Sequence, residues 1–241
     1  MPKRGKQYLE AVKSIEPDRL YGPAEGLELV KNAAHARFNE SIDVHIRLGV
    51  DPRHADQNVR SSVVLPHGTG REPRVLVFGA GEAVRIAEEA GADFVGSDDM
   101  VQRIKDGWLG FDAAVAMADQ MGKVGGLGKI LGRRGLMPNP KSGTVVRAPE
   151  DLANVIQELK RGRVEFRNDR TGLIHVPIGK KSFETDALTG NLYALIDAIV
   201  RAKPTTLKGV YCRSVTVTST MGPGVPLDVA RVLEEAATNA A

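Results

Sequence analysis

Cysteine is nearly absent: the 241 residues hold one, Cys212. A single thiol builds neither a disulfide framework nor a cysteine-rich zinc site, and it suits a reducing, cytoplasmic setting. Aromatic residues make up only 5% of the chain, with one tryptophan. No apolar run approaches the roughly 18 residues of a membrane span. Met1-Pro-Lys-Arg-Gly-Lys6 is charged but has no apolar stretch behind it, so no secretory leader is expected. Neither sign of charge dominates, with 33 basic and 30 acidic residues and a net +3. What remains is ordinary: 42% apolar and 26% charged, which excludes a disordered chain, a collagen and a coiled coil.

Catalytic patterns are missing too. Gly79-Ala-Gly81-Glu-Ala-Val84 follows a strand pattern, as a dinucleotide fingerprint would, but Val84 stands where the third glycine belongs. Glu82 and Glu88 also bring negative charge to the start of that helix, a poor place for a pyrophosphate. Gly135-Leu-Met-Pro-Asn-Pro-Lys141-Ser142 lacks the glycine that precedes a Walker lysine. The five histidines form no paired ligand motif, and there is no Gly-x-Ser-x-Gly elbow. Cys212 alternates with its neighbours as a buried strand residue does, so it is expected to pack rather than react. No enzyme activity, metal or cofactor is expected. A nucleotide-dependent enzyme remains the competing class, and a scaffold that binds only protein a third.

The order of patterns gives the architecture. Two short helices are expected over residues 6–15 and 23–35, the second with Pro23 set for its first turn. Ile42, Val44, Ile46 and Leu48 alternate with Asp43, His45 and Arg47, which predicts a half-buried strand. A second strand over residues 59–65 is expected beside it, antiparallel. After Pro66-His-Gly-Thr-Gly70 the style changes. Residues 74–78 form a continuous apolar run, and strands and helices then alternate to residue 117, the βαβαβ signature of a parallel sheet. Residues 119–147 read as a glycine-rich basic loop, followed by a helix to residue 160. A hairpin is expected around residues 169–172, then a long helix over 187–202, a strand over 210–220 and a short final helix.

The resulting fold class is α/β with two domains. A discontinuous antiparallel α+β domain, residues 1–68 and 161–241, holds an inserted Rossmann-like parallel α/β domain, residues 69–160. A tandem split near residue 119 is the alternative, but it leaves residues 161–220 with no sheet to join. Gly68, Gly70 and Gly162 mark the two crossings and are the expected hinge. The discontinuous domain carries +4 and the insert −1.

Charge and hydroxyl position then point to nucleic acid. Residues 120–149 contain Lys123, Lys129, Arg133, Arg134, Lys141 and Arg147 without one acid. Residues 161–181 carry a net +4, including Arg167 and Arg170, on the expected hairpin. Lys3, Arg4 and Lys6 add a basic arm. Ser214, Thr216, Thr218 and Thr220 share one face of the last strand, where hydroxyls suit ribose and phosphate. Met221 and Gly222 follow at once. Arg37 and Phe38 offer a cation beside a ring for stacking.

Several segments together resemble one family. They are Met1-Pro-Lys-Arg-Gly-Lys6, residues 50–60, Leu65-Pro-His-Gly-Thr-Gly70, Gly135-Leu-Met-Pro-Asn-Pro-Lys141, Glu165-Phe-Arg-Asn-Asp169 and residues 214–224. In that order they resemble the L-one family of bacterial large-subunit ribosomal proteins. The resemblance implies two domains joined by a hinge, with the first binding ribosomal RNA of the mobile stalk. It further implies help in releasing deacylated tRNA at the exit site, repression of the chain's own operon mRNA, and a monomer when free of the ribosome. The family's RNA patch maps onto Phe38, Ser214, Thr220, Met221 and Gly222. Arg37, Arg167 and Arg170 join it on charge, and Thr216 and Thr218 from the hydroxyl row. Lys3, Arg4, Lys6, Lys129, Arg133, Arg134 and Lys141 are candidates for secondary RNA or tRNA contacts. The chain departs from the family's usual Gly-Pro-Arg-Gly-Leu with Gly132-Arg-Arg-Gly-Leu136, and from its Gly-Thr with Ser61-Ser62.

Overall fold

The computed structural model describes residues 5–16 and 18–239. In chain order the elements are α1 (Lys6–Lys13), α2 (Pro23–Ala33), β1 (Ser41–Leu48), β2 (Arg60–Val64), β3 (Val75–Phe78), α3 (Glu82–Glu89), β4 (Phe94–Gly96), α4 (Asp98–Lys105), β5 (Ala113–Met117), α5 (Met121–Gly125), α6 (Gly128–Arg134), β6 (Val145–Val146), α7 (Pro149–Arg161), β7 (Arg163–Arg167), β8 (Leu173–Lys180), α8 (Thr185–Arg201), β9 (Cys212–Ser219), β10 (Val225–Leu227) and α9 (Val229–Asn239). They divide into two units, one of Met1–Gly70 with Val164–Ala241, the other Arg71–Arg163.

In the first unit, alternation makes the sheet. Ile42, Val44, Ile46 and Leu48 of β1 point inward, as do Ile174, Val176 and Ile178 of β8 and Val215 and Val217 of β9. The four strands run in the order β10-β9-β1-β8, with antiparallel neighbours. α2, α8 and α9 cover one face and close a core that includes Leu27, Leu192, Ile196 and Val232. The other face bears Asp43, His45, Arg47, His175, Ser214 and Thr216, each exposed or half-buried.

Two expectations about this sheet are corrected. β2 does not pair with β1; it pairs with β7 in a separate two-stranded sheet, because β8 and β9 already occupy both edges of β1. The turn at residues 169–172 is present, with Asp169 N–H donating to Leu173 O at 2.8 Å, but it is no simple hairpin. Its two strands part into different sheets after one bridge between Asn168 and Ile174. β10, hidden in a Gly/Pro stretch, was not expected as a strand.

Asn191, wholly buried on α8, fastens this unit beside the chain crossing. Its carbonyl accepts from His67 N–H at 3.0 Å, and its amide donates to Gly68 O at 2.9 Å and Ile178 O at 2.7 Å. Asn191→Leu keeps the volume and strands all three partners. We expect a loss of about 2–3 kcal/mol, since a buried group left unmatched costs about 1–3 kcal/mol and only the bond to Ile178 O is fully buried, those to His67 and Gly68 being part-buried. Faster amide exchange in α8 and β8 is the readout.

In the second unit, the parallel sheet runs β4-β3-β5-β6. All four residues of β3 are buried, because helices cover both faces. Leu76 and Phe78 pack with Met100, Ile104 and Leu131, while Val75 and Val77 pack with Ala83, Ala87, Leu152 and Ile156. The expected basic loop is replaced here by α5 and α6. Val124, Leu127 and Leu131 form a helical stripe that is completely buried, and this outweighs the glycine content. Lys129, Arg133 and Arg134 stay exposed on α6. α6 runs on through Arg133, where the family usually has proline, and ends on Gly135 in the left-handed conformation.

All three expected hinge glycines have positive φ: 67° at Gly68, 69° at Gly70 and 107° at Gly162. Gly162 closes α7. A Cβ on Gly70 would stand 2.8 Å from Lys180 Cγ, so this glycine lies in a packed crossing rather than a loose one.

Candidate nucleic-acid interface

One end of the first unit's sheet gathers three loops: residues 34–40, 181–184 and 220–224. A buried carboxylate holds two of them. Glu40 is fully inaccessible, and its two oxygens accept from Ala36 N–H at 2.7 Å and Met221 N–H at 2.9 Å. Its own carbonyl accepts from Lys181 N–H at 2.8 Å, which ties in the third loop. Burial works against the charge of this carboxyl. The backbone donors at Met221 and Ala36 outweigh it, with help from Ser219 and His35, and hold the pKa below the usual 4.5.

This clasp leaves its neighbours facing outward. Phe38 is 55% exposed and Met221 53% exposed, large apolar side chains on adjoining loops. Arg37 is exposed beside Phe38. Lys6 and Tyr8 of α1, with His35 and Met221, line a cavity of about 590 Å³. Lys6 therefore reaches the patch; Lys3 and Arg4 lie outside the described residues.

Gly222 is fixed by close approach. Its N–H donates to Ser219 O at 3.2 Å, and a Cβ there would stand 2.4 Å from the buried Ser219 Oγ. Gly222→Ala should push Met221 off the Glu40 clasp. We expect about fivefold or greater loss of RNA affinity, checked by filter binding, with a modest loss of stability of about 1 kcal/mol.

The hydroxyl row needs correction at two of its four members. Thr218 Oγ1 turns back to the carbonyls of Ser219, Gly222 and Pro223, at 3.0–3.2 Å, and fastens the β9–β10 loop. Thr220 lies just beyond β9; its Oγ1 accepts from Ser41 N–H at 3.0 Å and faces Ser41 O at 3.3 Å. Both hydroxyls build the site rather than present themselves. Ser214 and Thr216 remain on the open face, with Ser214 exposed.

Arg167 and Arg170 are not part of the patch. Arg167 ends β7 and Arg170 lies in the turn before β8, which leads into Leu173, the partner of Arg47 at the far end of β1. Six residues of strand separate that end from Ser41, roughly 20 Å at strand rise. There Arg167, Arg170, Asn168, Asp169 and His175 line a second cavity of about 690 Å³. Nor do all basic residues of the 161–181 stretch share a surface. Arg163 pairs with Glu158 at 2.8 Å and donates to Ser142 O. Lys180 donates to Ser41 Oγ and Lys181 to Ala34 O, so both stitch loops together. Lys129, Arg133, Arg134 and Lys141 are exposed and belong to the second unit, whereas the patch residues belong to the first.

The residue that sequence reasoning missed is Glu40. Its signal was parity: two positions before Ile42, it shares the inward face of the alternation. Ser219 continues Val215 and Val217 inward in the same way. Cys212 is buried, and burial pushes its thiol up to about 11, which suits packing and not nucleophilic attack.

Comparison with known proteins decides the family. A family model described as "Ribosomal protein L1p/L10e family" matches residues 29–223. The chain belongs to that family. The matched span opens before the Phe38 loop and closes one residue beyond Gly222, so it takes in Phe38, Glu40, Met221 and Gly222 but not Lys6. Among curated relatives, a protein of Thermomicrobium roseum is 67% identical over 236 residues, covering 98% of each chain. One of Chloroflexus aggregans is 57% identical over 233 residues, covering 96% of this chain and 98% of its own. One of Chloroflexus aurantiacus is 58% identical over 229 residues, covering 95% and 96%. All three are named large ribosomal subunit protein uL1, a structural rather than catalytic designation.

Proposed function

We propose that this chain is a component of the large ribosomal subunit that binds ribosomal RNA of the mobile stalk through the Phe38–Met221 end of its first unit. The observation that carries the reading is the pair of exposed apolar side chains held outward by the buried Glu40 clasp. Single exposed apolar side chains are common; here a ring and a thioether stand on adjoining loops held by one clasp, where bases or sugars can pack on them. Arg37 and Lys6 add phosphate contacts beside them.

The finer parts of the reading rest on the family resemblance. Near the exit site the chain assists release of deacylated tRNA, with the cations of α6 and Lys141 as secondary contacts and Gly68, Gly70 and Gly162 as the hinge. It represses its own operon mRNA by presenting the same patch to a similar RNA fold. Free of the ribosome it is a cytoplasmic monomer. The test is competition: stalk RNA and the operon leader should displace one another from the full chain. Arg133→Glu with Arg134→Glu should leave stalk affinity within about twofold, because those residues lie in the other unit. A loss comparable to that of the patch variants would place the RNA site there instead.

A further inference from the structure

The open face of the sheet carries two imidazoles that the patch does not use. His45 on β1 and His175 on β8 are direct cross-strand partners. Their Nδ1 atoms stand 2.7 Å apart, and the rings meet edge to face with centroids 4.9 Å apart. A contact this short between two ring nitrogens requires one proton between them, donated by one and accepted by the other. A second charge on the pair is opposed by repulsion.

The surroundings are balanced. Asp43 and Arg47 flank His45 on the same face of β1, and Thr216 on β9, its other cross-strand neighbour, is neutral. The Asp169 carboxylate lies 3.9 Å from His175 Nε2. Glu165, Arg167 and Arg170 line the cavity that His175 faces, and Glu165 is paired with Arg60. Counting Arg60, four arginines face three acids, so the local charge is about +1 and one added proton about doubles it. The pair also lies between the Phe38–Met221 end of β1 and the Arg167–Arg170 end, on the line a nucleic-acid backbone would follow across the sheet.

We propose that the His45–His175 pair is a separate anion site, which takes up a proton when a phosphodiester docks on the open sheet face. Burial and the neighbouring His175 hold His45 below the ordinary imidazole value. The identity of the ligand rests on the RNA reading; the pairing does not.

The test has two arms. In the first, the full chain is titrated with stalk RNA at constant ionic strength from about pH 8 to about pH 6, and proton uptake is measured calorimetrically in buffers of different ionisation enthalpy. Affinity should rise about fivefold over that range, with an average uptake of about a third of a proton, and His175→Gln should abolish the uptake. His67→Gln, beside α8 on the covered side of the sheet, should keep it. A His175→Gln chain with the full pH dependence overturns the proposal. In the second arm, the Cε1–H resonances of both histidines are titrated without RNA, with and without inorganic tripolyphosphate. The anion should raise the pair's midpoint by about half a pH unit or more. Unmoved midpoints overturn the proposal whether or not RNA binds. Raised midpoints in a chain that binds no RNA at any pH would keep the anion site and remove the RNA reading.

Discussion

Glu40→Ala is expected to destabilise the first unit by about 3 kcal/mol and to abolish tight RNA binding. The carboxylate holds two backbone donors in a fully buried place, and hydrogen bonds to a charged group contribute about 1.5–3 kcal/mol each. Truncation leaves the Ala36 and Met221 N–H groups unmatched and frees both loops that carry the exposed apolar pair. Glu40→Gln separates charge from shape. Its amide fits the space but turns a donor toward a donor, so it should recover only part of the stability. Amide exchange at Ala36 and Met221 reports the clasp directly, and unchanged protection in Glu40→Ala would contradict this account.

The same carboxylate makes stability depend on pH with a definite sign. Its pKa is held below 4.5 in the folded chain, so the unfolded chain binds the proton more readily. The clasp's contribution is complete above about 4.5 and fades as pH falls through the lowered folded value. Acid should therefore open the 34–40 and 220–224 loops before the sheet, an order that Glu40→Gln removes.

Phe38→Ala and Met221→Ala are expected to act on binding alone. Both side chains are more than half exposed, so truncation costs little core burial. Stacking of a base on a side chain contributes about 1–3 kcal/mol, so each change should weaken stalk RNA binding by about tenfold or more. The thermal midpoint should stay unchanged.

The sequence exposes the two-unit plan because hydrophobic period changes at the crossings: alternation in β1, β8 and β9, a continuous run in β3. It hides strand partners. Nothing in residues 59–65 says that β1 already has two neighbours, so chain order alone pairs β2 with the wrong strand. Glycine content misleads at residues 121–134, where three buried aliphatic residues at helical spacing decide the outcome. At the candidate site, the exposure of Phe38 and Met221 and the close approach at Gly222 agree with the sequence reading, but the work of the hydroxyls is not legible in it. Strand parity places Thr218 and Thr220 outward, yet their hydroxyls fold back on backbone that a linear reading cannot see. A Thr220→Val variant therefore removes a link to Ser41 as well as a hydroxyl, and is a poorer probe of RNA contact than Met221→Ala. Arg167 and Arg170 fell into one group with the patch because charge counting ignores the length of a strand.

The central claim is that RNA is held by the Phe38–Met221 end of the sheet. Filter binding of the isolated stalk RNA to the full chain and to the Phe38→Ala, Met221→Ala double variant tests it most directly, with thermal unfolding measured on both. The account predicts a loss of about a hundredfold in affinity with the unfolding midpoint unmoved. Equal affinity in a double variant of unchanged stability would contradict it.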